Sequence, residues 1–156
     1  MEYVHDNQRE ANLAYLAGLV DGEGCISIKH NIRNNNYFPW VAVGMTQKEG
    51  IDLLVEMFGG TIREDLTSNR KSTMYRWERN KREDVVNVLQ QLLPYLRVKK
   101  ALAVSVLAFC QDGEPIKVGG RGKTSLQEQE RRKDLHLKVK ELNNVRAPAT
   151  TNRVNI

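Results

Sequence analysis

The chain has 156 residues, of which 40% are hydrophobic and 28% charged, and it carries a formal net charge of +5. This size and composition predict one soluble globular domain with its own core, and the basic charge is compatible with nucleic-acid binding as well as with an ordinary basic protein. The sequence has no apolar run of ~18 residues and no N-terminal signal peptide, and its two cysteines and three scattered histidines argue against a disulfide framework and a histidine metal site; we therefore expect an intracellular protein without membrane contact, either in an organelle (chloroplast or mitochondrion) or in prokaryotic or phage cytoplasm.

The first predicted helix runs from Asp6 to Val20. Asn7 is placed to cap its N-terminus, and Glu10 three residues later completes a pair that resembles a capping box. Bulky apolar residues form one stripe of this helix, and small residues form another face. The small face contains Ala14, Gly18 and Asp21, with Ala17 beside them.

Two acidic residues, Asp21 and Glu23, stand where this helix must end, and Gly22 between them suits the first position after a helix. The C-terminus of a helix is the negative end of its dipole, so carboxylates there are unfavourable. A bound cation would relieve the repulsion and would take carboxylate and carbonyl oxygens as ligands. The small face suits close packing on another helix, either of the same chain or of a second copy.

Alternating apolar and polar residues predict four strands, and a period of three to four residues predicts the helices around them. The order is αββαββα followed by C-terminal helices, an α+β fold whose four-stranded antiparallel sheet is covered by helices on one face. We expect a single domain over 1–143, made of a core at about 7–110 and a C-terminal helical part at 111–143, and a tail at 144–156. The predicted elements after the first helix are strands Cys25–Arg33 and Trp40–Gln47, helix Glu49–Phe58, strands Thr61–Leu66 and Met74–Arg79, and helices Arg82–Leu93, Arg97–Cys110 and Ser125–Asn143.

The strand faces that no helix covers carry basic, amide and hydroxyl side chains, which fit the phosphates and base edges of nucleic acid better than a core. A solvated sheet face is the alternative, but the amide-rich turn at 34–36 and the basic turn at 67–71 favour contact with DNA or RNA. Trp40 is unusual on such a surface and could instead pack at the sheet edge. The candidate contact residues are Ser27, Lys29, Asn31, Arg33, Trp40, Arg63 and Arg76.

The run Leu16-Ala17-Gly18-Leu19-Val20-Asp21-Gly22-Glu23-Gly24 resembles the signature of the LAGLIDADG homing endonucleases. It differs from the name sequence mainly in Val20, Gly22 and Glu23, which replace Ile, Ala and Asp. The order of elements is also similar to that of the family, and the resemblance covers roughly residues 10–110. Further segments that resemble the family are Thr46-Gln47-Lys48, Phe58-Gly59-Gly60, Tyr75-Arg76-Trp77 and Leu93-Pro94-Tyr95-Leu96-Arg97-Val98-Lys99-Lys100.

The resemblance implies a site-specific enzyme that cuts both strands of a long double-stranded DNA target and so promotes intron mobility. Two signature helices are needed for each active unit, and this chain has one, so the resemblance implies a homodimer. The two-fold symmetry of a homodimer predicts a palindromic or nearly palindromic target. The residues expected at the dimer interface are Ala14, Ala17, Gly18 and Asp21.

The resemblance also implies an active site that hydrolyses phosphodiester bonds. Glu23 would bind the divalent metal with the carbonyl of Gly22 beside it, and oxygen ligands favour Mg²⁺ or Mn²⁺, with no further small-molecule cofactor. Gln47 would orient water near the metal. Lys99 would place a positive charge near the scissile phosphate or act as a proton donor. Asp21 would be either catalytic or a cap on the partner helix.

Two other functions are compatible with the same residues. An intron RNA maturase could use this fold without cleaving DNA, and a non-catalytic DNA-binding regulator would not need Glu23. The presence of Glu23, Gln47 and Lys99 together favours the nuclease. Ile51 stands where some relatives carry a basic residue, so one basic group of the active site would be missing or supplied from elsewhere.

Overall fold

The computed structural model describes residues 2–66, 72–114 and 124–145. The predicted turn at 67–71, most of the predicted loop at 111–124 and the tail from residue 146 onward lie outside the described residues. The fold class is α+β, as predicted. The elements are α1 (Glu2–Glu23), β1 (Gly24–Asn31), β2 (Asn36–Met45), α2 (Lys48–Phe58), β3 (Arg63–Asp65), β4 (Met74–Arg79), α3 (Arg82–Leu92), α4 (Lys100–Gln111) and α5 (Leu126–Val145).

Helix α1 is longer than predicted at both ends. It begins at Glu2, so Asn7 lies inside the helix and the prediction that it is the N-cap is wrong. It also continues through Gly22 to Glu23, so Gly22 is not the residue after the helix. The last turn persists because its carbonyl groups accept hydrogen bonds from Lys99, which is distant in the sequence. Local signals do not reveal a cap of this kind.

The four strands form one antiparallel sheet in the order β1-β2-β4-β3, and β1–β2 and β3–β4 are the two predicted hairpins. Residues directly opposite each other on neighbouring antiparallel strands share a face of the sheet. Ser27 pairs with Trp40, and both Gly44 and Arg63 pair with Arg76. These residues therefore lie on one face, which is the open face of the sheet.

The other face of the sheet carries the core and is covered by the helices. Ile26 and Ile28 of β1 and Val41 and Val43 of β2 are buried in the same core cluster as Trp77 of β4, which is fully buried. The indole N–H of Trp77 donates to the carbonyl of Gly59 at 2.8 Å, so its one polar group is satisfied inside the core. No helix in the described ranges is both long enough and apolar enough to cross a membrane.

Gly24 joins α1 directly to β1 without a connecting loop. A Cβ atom at this position would lie 2.7 Å from the carbonyl oxygen of Val20 and 2.8 Å from its Cα. Only glycine lets the first residue of the strand approach the last turn of the helix so closely. The C-terminal end of α1, with its two acidic residues, is therefore held close to the first residues of β1.

Helix α5 lies along the free edge of β1, which is an outer strand of the sheet. The Nδ1 atom of His136 donates to the carbonyl of Ile28 at 2.7 Å, and the side-chain amide of Asn143 donates to the carbonyl of Ile26 at 3.1 Å. Unpaired edge carbonyls invite pairing with another chain. Helix α5, which lies outside the segment that resembles the family, therefore covers the free edge of the β1–β2 hairpin.

Glu128 is nearly buried at the contact between α4 and α5 and accepts hydrogen bonds from Arg131 and Arg132, each at 2.8 Å. The pairing with Arg131 holds the pKa of Glu128 down at about 2, against an ordinary 4.5, despite its burial. The charged form therefore stabilises the fold above pH 4.5, and we expect this contribution to be lost as the pH falls from about 4.5 to about 2. Urea unfolding at pH 5 and pH 3 measures the effect.

The matched pair of variants for this experiment is Glu128→Gln and Glu130→Gln, since Glu130 is an exposed acid of the same helix. The Glu128→Gln variant should be less stable at pH 5 and should lose less stability on acidification. The Glu130→Gln variant should follow the parent protein. Equal acid sensitivity in all three proteins would contradict a stabilising role of the Glu128 carboxylate.

Candidate nucleic-acid interface and metal site

Glu23 is the last residue of α1, and its side chain is exposed, as is Gly22 before it. The exposed carboxylate and the neighbouring carbonyl are oxygen donors of the kind that Mg²⁺ and Mn²⁺ take. Within the described ranges, no three histidine, cysteine, aspartate or glutamate side chains come together as a ready metal site. The Glu23 carboxylate and the Gly22 carbonyl by themselves make up only part of a coordination shell, to which water or a phosphate could add further oxygen ligands.

Asp21 faces the start of α4 in the same chain. Its carboxylate accepts hydrogen bonds from the backbone N–H groups of Arg97 at 2.8 Å, Val98 at 3.2 Å and Lys99 at 2.8 Å. Partial burial raises the pKa of Asp21, but these donors and the Lys99 ammonium outweigh it and hold the pKa below its usual value. Within the chain, Asp21 therefore binds the backbone of residues 97–99, which lead into α4. The cap on a partner helix stays a prediction.

Lys99 precedes α4 and points back to the C-terminal end of α1. Its Nζ donates to three carbonyl oxygens, those of Val20 at 2.8 Å, Asp21 at 2.9 Å and Gly24 at 2.6 Å. Its positive charge thus lies within the turn that presents Glu23. The fold thus brings Lys99 to the turn that carries Asp21 and Glu23.

Gln47 occupies the N-cap position of α2 and is exposed, with its Oε1 accepting from the Thr46 hydroxyl at 3.1 Å. Its amide nitrogen remains a possible donor to water. Ile51, one turn further along α2, is fully buried in the core. A basic side chain at this position would leave a charge in the core, so the position is a packing site in this chain.

The small-residue face of α1 is exposed, with Ala14, Gly18 and Gly22 at intervals of four residues. A Cβ added at Gly18 or Gly22 would meet nothing within 4 Å, so this face has open space in front of it. Ala17 does not belong to it. Its side chain is fully buried in the chain's own core, and its predicted place at a dimer interface is wrong because the helix turns it toward the sheet.

The open face carries most of the predicted nucleic-acid contacts. The Nζ of Lys29 lies 4.0 Å from the ring centroid of Trp40, and Trp40 is on the inner strand β2 and not at the sheet edge. An open groove of about 700 Å³ lies at this end of the sheet. It includes Asn31 and Arg33 as well as Phe38, which the sequence analysis missed. Phe38 lies two residues before Trp40, and the prediction started the strand too late to include it.

Two acidic residues on the open face form ion pairs with two of its arginines. Arg76 lies 3.2 Å from a carboxylate oxygen of Asp65, and Arg63 lies 3.6 Å from Asp65 and 3.8 Å from Glu78. These ion pairs are at least one-third exposed, so each adds little to stability. They do place negative charge next to both guanidinium groups on this face. Asp65 was not identified from the sequence, because a lone acid in a short strand carries no local signal.

No protein-family model and no curated protein matches the chain. Solved structures of homing endonucleases are similar to it. They include I-CvuI in complex with its target in the presence of 2 mM Ca (TM-score 0.64, 21% identity, covering 90% of this chain and 85% of that one) and the archaeal intron-encoded I-Vdi141I complexed with DNA (TM-score 0.64, 15% identity, 88% and 85%). A third is I-TnaI (TM-score 0.55, 16% identity, 88% and 88%). The fold of this chain is accordingly the one that the LAGLIDADG homing endonucleases share.

Proposed function

We propose that the protein is a site-specific homing endonuclease. As a homodimer it makes metal-dependent cuts in both strands of a long, palindromic or nearly palindromic DNA target and so promotes intron mobility. The observation that carries the proposal is the direct junction of an exposed carboxylate, Glu23, with the first strand of an open basic and aromatic sheet face. This junction places a metal ligand at the edge of a surface suited to DNA.

The metal would be held by the carboxylate of Glu23 and the carbonyl of Gly22. When bound, Mg²⁺ or Mn²⁺ supplies Lewis-acid stabilisation of the phosphate and lowers the pKa of water. Gln47 orients water through its exposed side-chain amide. Lys99 contributes positive charge from the same turn, where its ammonium is bound to backbone carbonyls.

The exposed face of Ala14 and Gly18 is the proposed dimer interface, because small side chains allow two helix backbones to approach closely. Asp21 lies at the end of this interface and is partly exposed. Pairing two copies of α1 there would bring the two Glu23 carboxylates together. The two sheets would then extend in opposite directions along the duplex, which is the geometry that a palindromic site requires.

The proposed contacts with DNA lie on or beside the open face. Arginine can bind guanine through two hydrogen bonds and asparagine can bind adenine in the same way, while any of these groups can also bind phosphate. A two-stranded ribbon fits the major groove of B-DNA. The proposed contacts are Ser27, Lys29, Asn31, Arg33, Trp40, Arg63 and Arg76.

Replacing Asp65 by asparagine is expected to strengthen binding to duplex DNA of any sequence. Asp65 occupies Arg63 and Arg76 and adds negative charge to the proposed DNA surface, so its removal should raise affinity by roughly fivefold at low salt. Fluorescence anisotropy with a random duplex at several salt concentrations measures the change. Asp52→Asn is the control, since it removes an exposed acid paired with Lys48 on α2. Equal effects of the two variants would argue against DNA contact at the open face.

The proposed function is tested with a randomised library of duplex DNA incubated with the protein and Mg²⁺, Mn²⁺ or EDTA. Cleaved molecules are captured by their new ends and sequenced. We expect a small set of related sites with two-fold symmetry, cut only when the metal is present. Binding without any cut in the library would indicate a DNA-binding regulator, and preference for structured intron RNA over every duplex would indicate a maturase.

A further inference from the structure

Asp21 lies near the end of α1 and Lys99 directly before α4, and the side chain of each binds the backbone around the other residue. The Asp21 carboxylate accepts hydrogen bonds from the three backbone N–H groups of residues 97–99, which directly precede α4. The Lys99 ammonium donates to the carbonyls of Val20 and Asp21 in the last turn of α1 and to that of Gly24 at the start of β1. The bonds join residues 75–79 positions apart in the sequence. We call this pair of reciprocal contacts the Asp21–Lys99 clasp.

The electrostatics of the clasp are favourable at both helix ends. The start of a helix presents unpaired N–H groups and partial positive charge, and its end presents unpaired carbonyls and partial negative charge. The negative charge of Asp21 is unfavourable at the end of its own helix, but it lies beside the residues that precede the positive end of α4. Lys99 meets the opposite charge at α1. The clasp therefore stabilises the Asp21 carboxylate near the end of α1.

The clasp also encloses the proposed metal ligands. The three carbonyls bound by Lys99 belong to Val20, Asp21 and Gly24, which flank Gly22 and Glu23 on both sides. Gly24 is further constrained by its close contact with the Val20 backbone. The exposed Glu23 carboxylate therefore belongs to a backbone segment that is constrained on both sides. A constrained segment positions a metal ligand more precisely than a mobile turn does.

An ammonium group has three N–H donors, and all three distances from Lys99 Nζ to its carbonyl acceptors fall within hydrogen-bond range. Donating a proton to a leaving oxygen would require Lys99 to abandon this arrangement. We propose that Lys99 and Asp21 are positioning residues that set the place of the Gly22 carbonyl and the Glu23 carboxylate, and that Lys99 does not transfer the proton. This inference rests on the proposed function and deepens it.

Lys99→Arg and Lys99→Met distinguish the two roles. A guanidinium group donates several hydrogen bonds but does not give up a proton in proteins. For a positioning residue, we expect Lys99→Arg to keep the cleavage rate within about tenfold of the parent and Lys99→Met to raise the half-saturating Mg²⁺ concentration by about tenfold or more. Lys100→Met, an exposed neighbour, should change neither quantity. Asp21→Asn should give a milder version of the Lys99→Met result.

Amide hydrogen exchange of the metal-free protein gives a second measurement that does not depend on cleavage. We expect faster exchange at residues 22–26 and 97–101 in Lys99→Met, partial recovery in Lys99→Arg, and no change in Lys100→Met. Equal loss of cleavage in the Arg and Met variants with an unchanged Mg²⁺ requirement would overturn the proposal in favour of proton transfer. Unchanged exchange in Lys99→Met, or in Asp21→Asn if the former does not fold, would overturn the clasp itself. If the parent protein cuts no target, the proposed function fails and the exchange data alone decide on the clasp.

Discussion

If the protein cleaves DNA as proposed, replacing Glu23 by glutamine is expected to lower the cleavage rate by about a thousandfold, because the proposed metal would lose its carboxylate ligand and the phosphate its Lewis acid. The substitution keeps the shape of the side chain. Glu23 is exposed, so the free energy of unfolding should change by less than about 0.5 kcal/mol. Single-turnover cleavage of the selected target in Mg²⁺ measures the rate, and anisotropy in Ca²⁺ measures binding.

Glu10→Gln is the matched control for this experiment. Glu10 is an exposed acid on the same helix, away from the end that joins the sheet. It should cleave and bind as the parent does. Cleavage by Glu23→Gln at the parent's rate would remove Glu23 from the metal site. Loss of DNA binding in the same variant would instead show that its carboxylate organises the DNA surface.

Enlarging the small face of α1 is expected to dissociate the proposed dimer and with it to abolish the proposed double-strand cleavage. Ala14→Leu adds bulk where two helix backbones would meet, so the proposed dimer should weaken by at least about a hundredfold. Sedimentation equilibrium over nanomolar to micromolar concentrations gives the dissociation constant. Ala101→Leu is the control, because Ala101 is also an exposed helical alanine but lies on α4. If both variants dimerise like the parent, the interface lies elsewhere.

The Gly18→Ala variant tests the stability of the single chain separately from the association of two chains. A Cβ at Gly18 meets nothing within 4 Å in the chain itself, and alanine is the better helix former by about 1 kcal/mol. The isolated chain should therefore become more stable, while the proposed dimer should become weaker. A thermal melt at nanomolar concentration and sedimentation at micromolar concentration report the two effects. An equally tight or tighter dimer in this variant would contradict close packing at Gly18.

Much of the fold could be predicted because its signals are local. The alternation around Ile26 and Ile28 predicts a strand with one buried face, and the glycines at 59 and 60 mark the end of α2, where both have positive φ. The position of Glu23 followed from the signature. Each of these inferences depends on residues that are neighbours in the sequence.

The features that could not be predicted depend on contacts between distant residues. The end of α1 is set by Lys99, 76 positions after Glu23 in the numbering, and no local rule anticipates that cap. Ala17 was predicted to lie on the exposed face of α1, but it is buried in the core. A small side chain is compatible with both positions, so the sequence does not distinguish them. Ile32 is a second case, because its side chain is 84% exposed. The alternation of apolar and polar residues continues to Ile32 in the sequence, but β1 ends at Asn31.

The absence of a loop between α1 and β1 has a consequence for how such a protein can change its target. Side chains on one face of a strand repeat about every 6.6 Å, close to the length of two base pairs. Because Gly24 directly follows Glu23, each side chain of β1 lies at a set number of residues from the proposed cutting point. Inserting one residue would turn every later side chain of the strand to the other face. If β1 contacts DNA as proposed, substitutions on its open face can therefore change the target sequence, whereas an insertion would remove the contacts. The distance along the strand from Glu23 then determines which base pairs each side chain can reach.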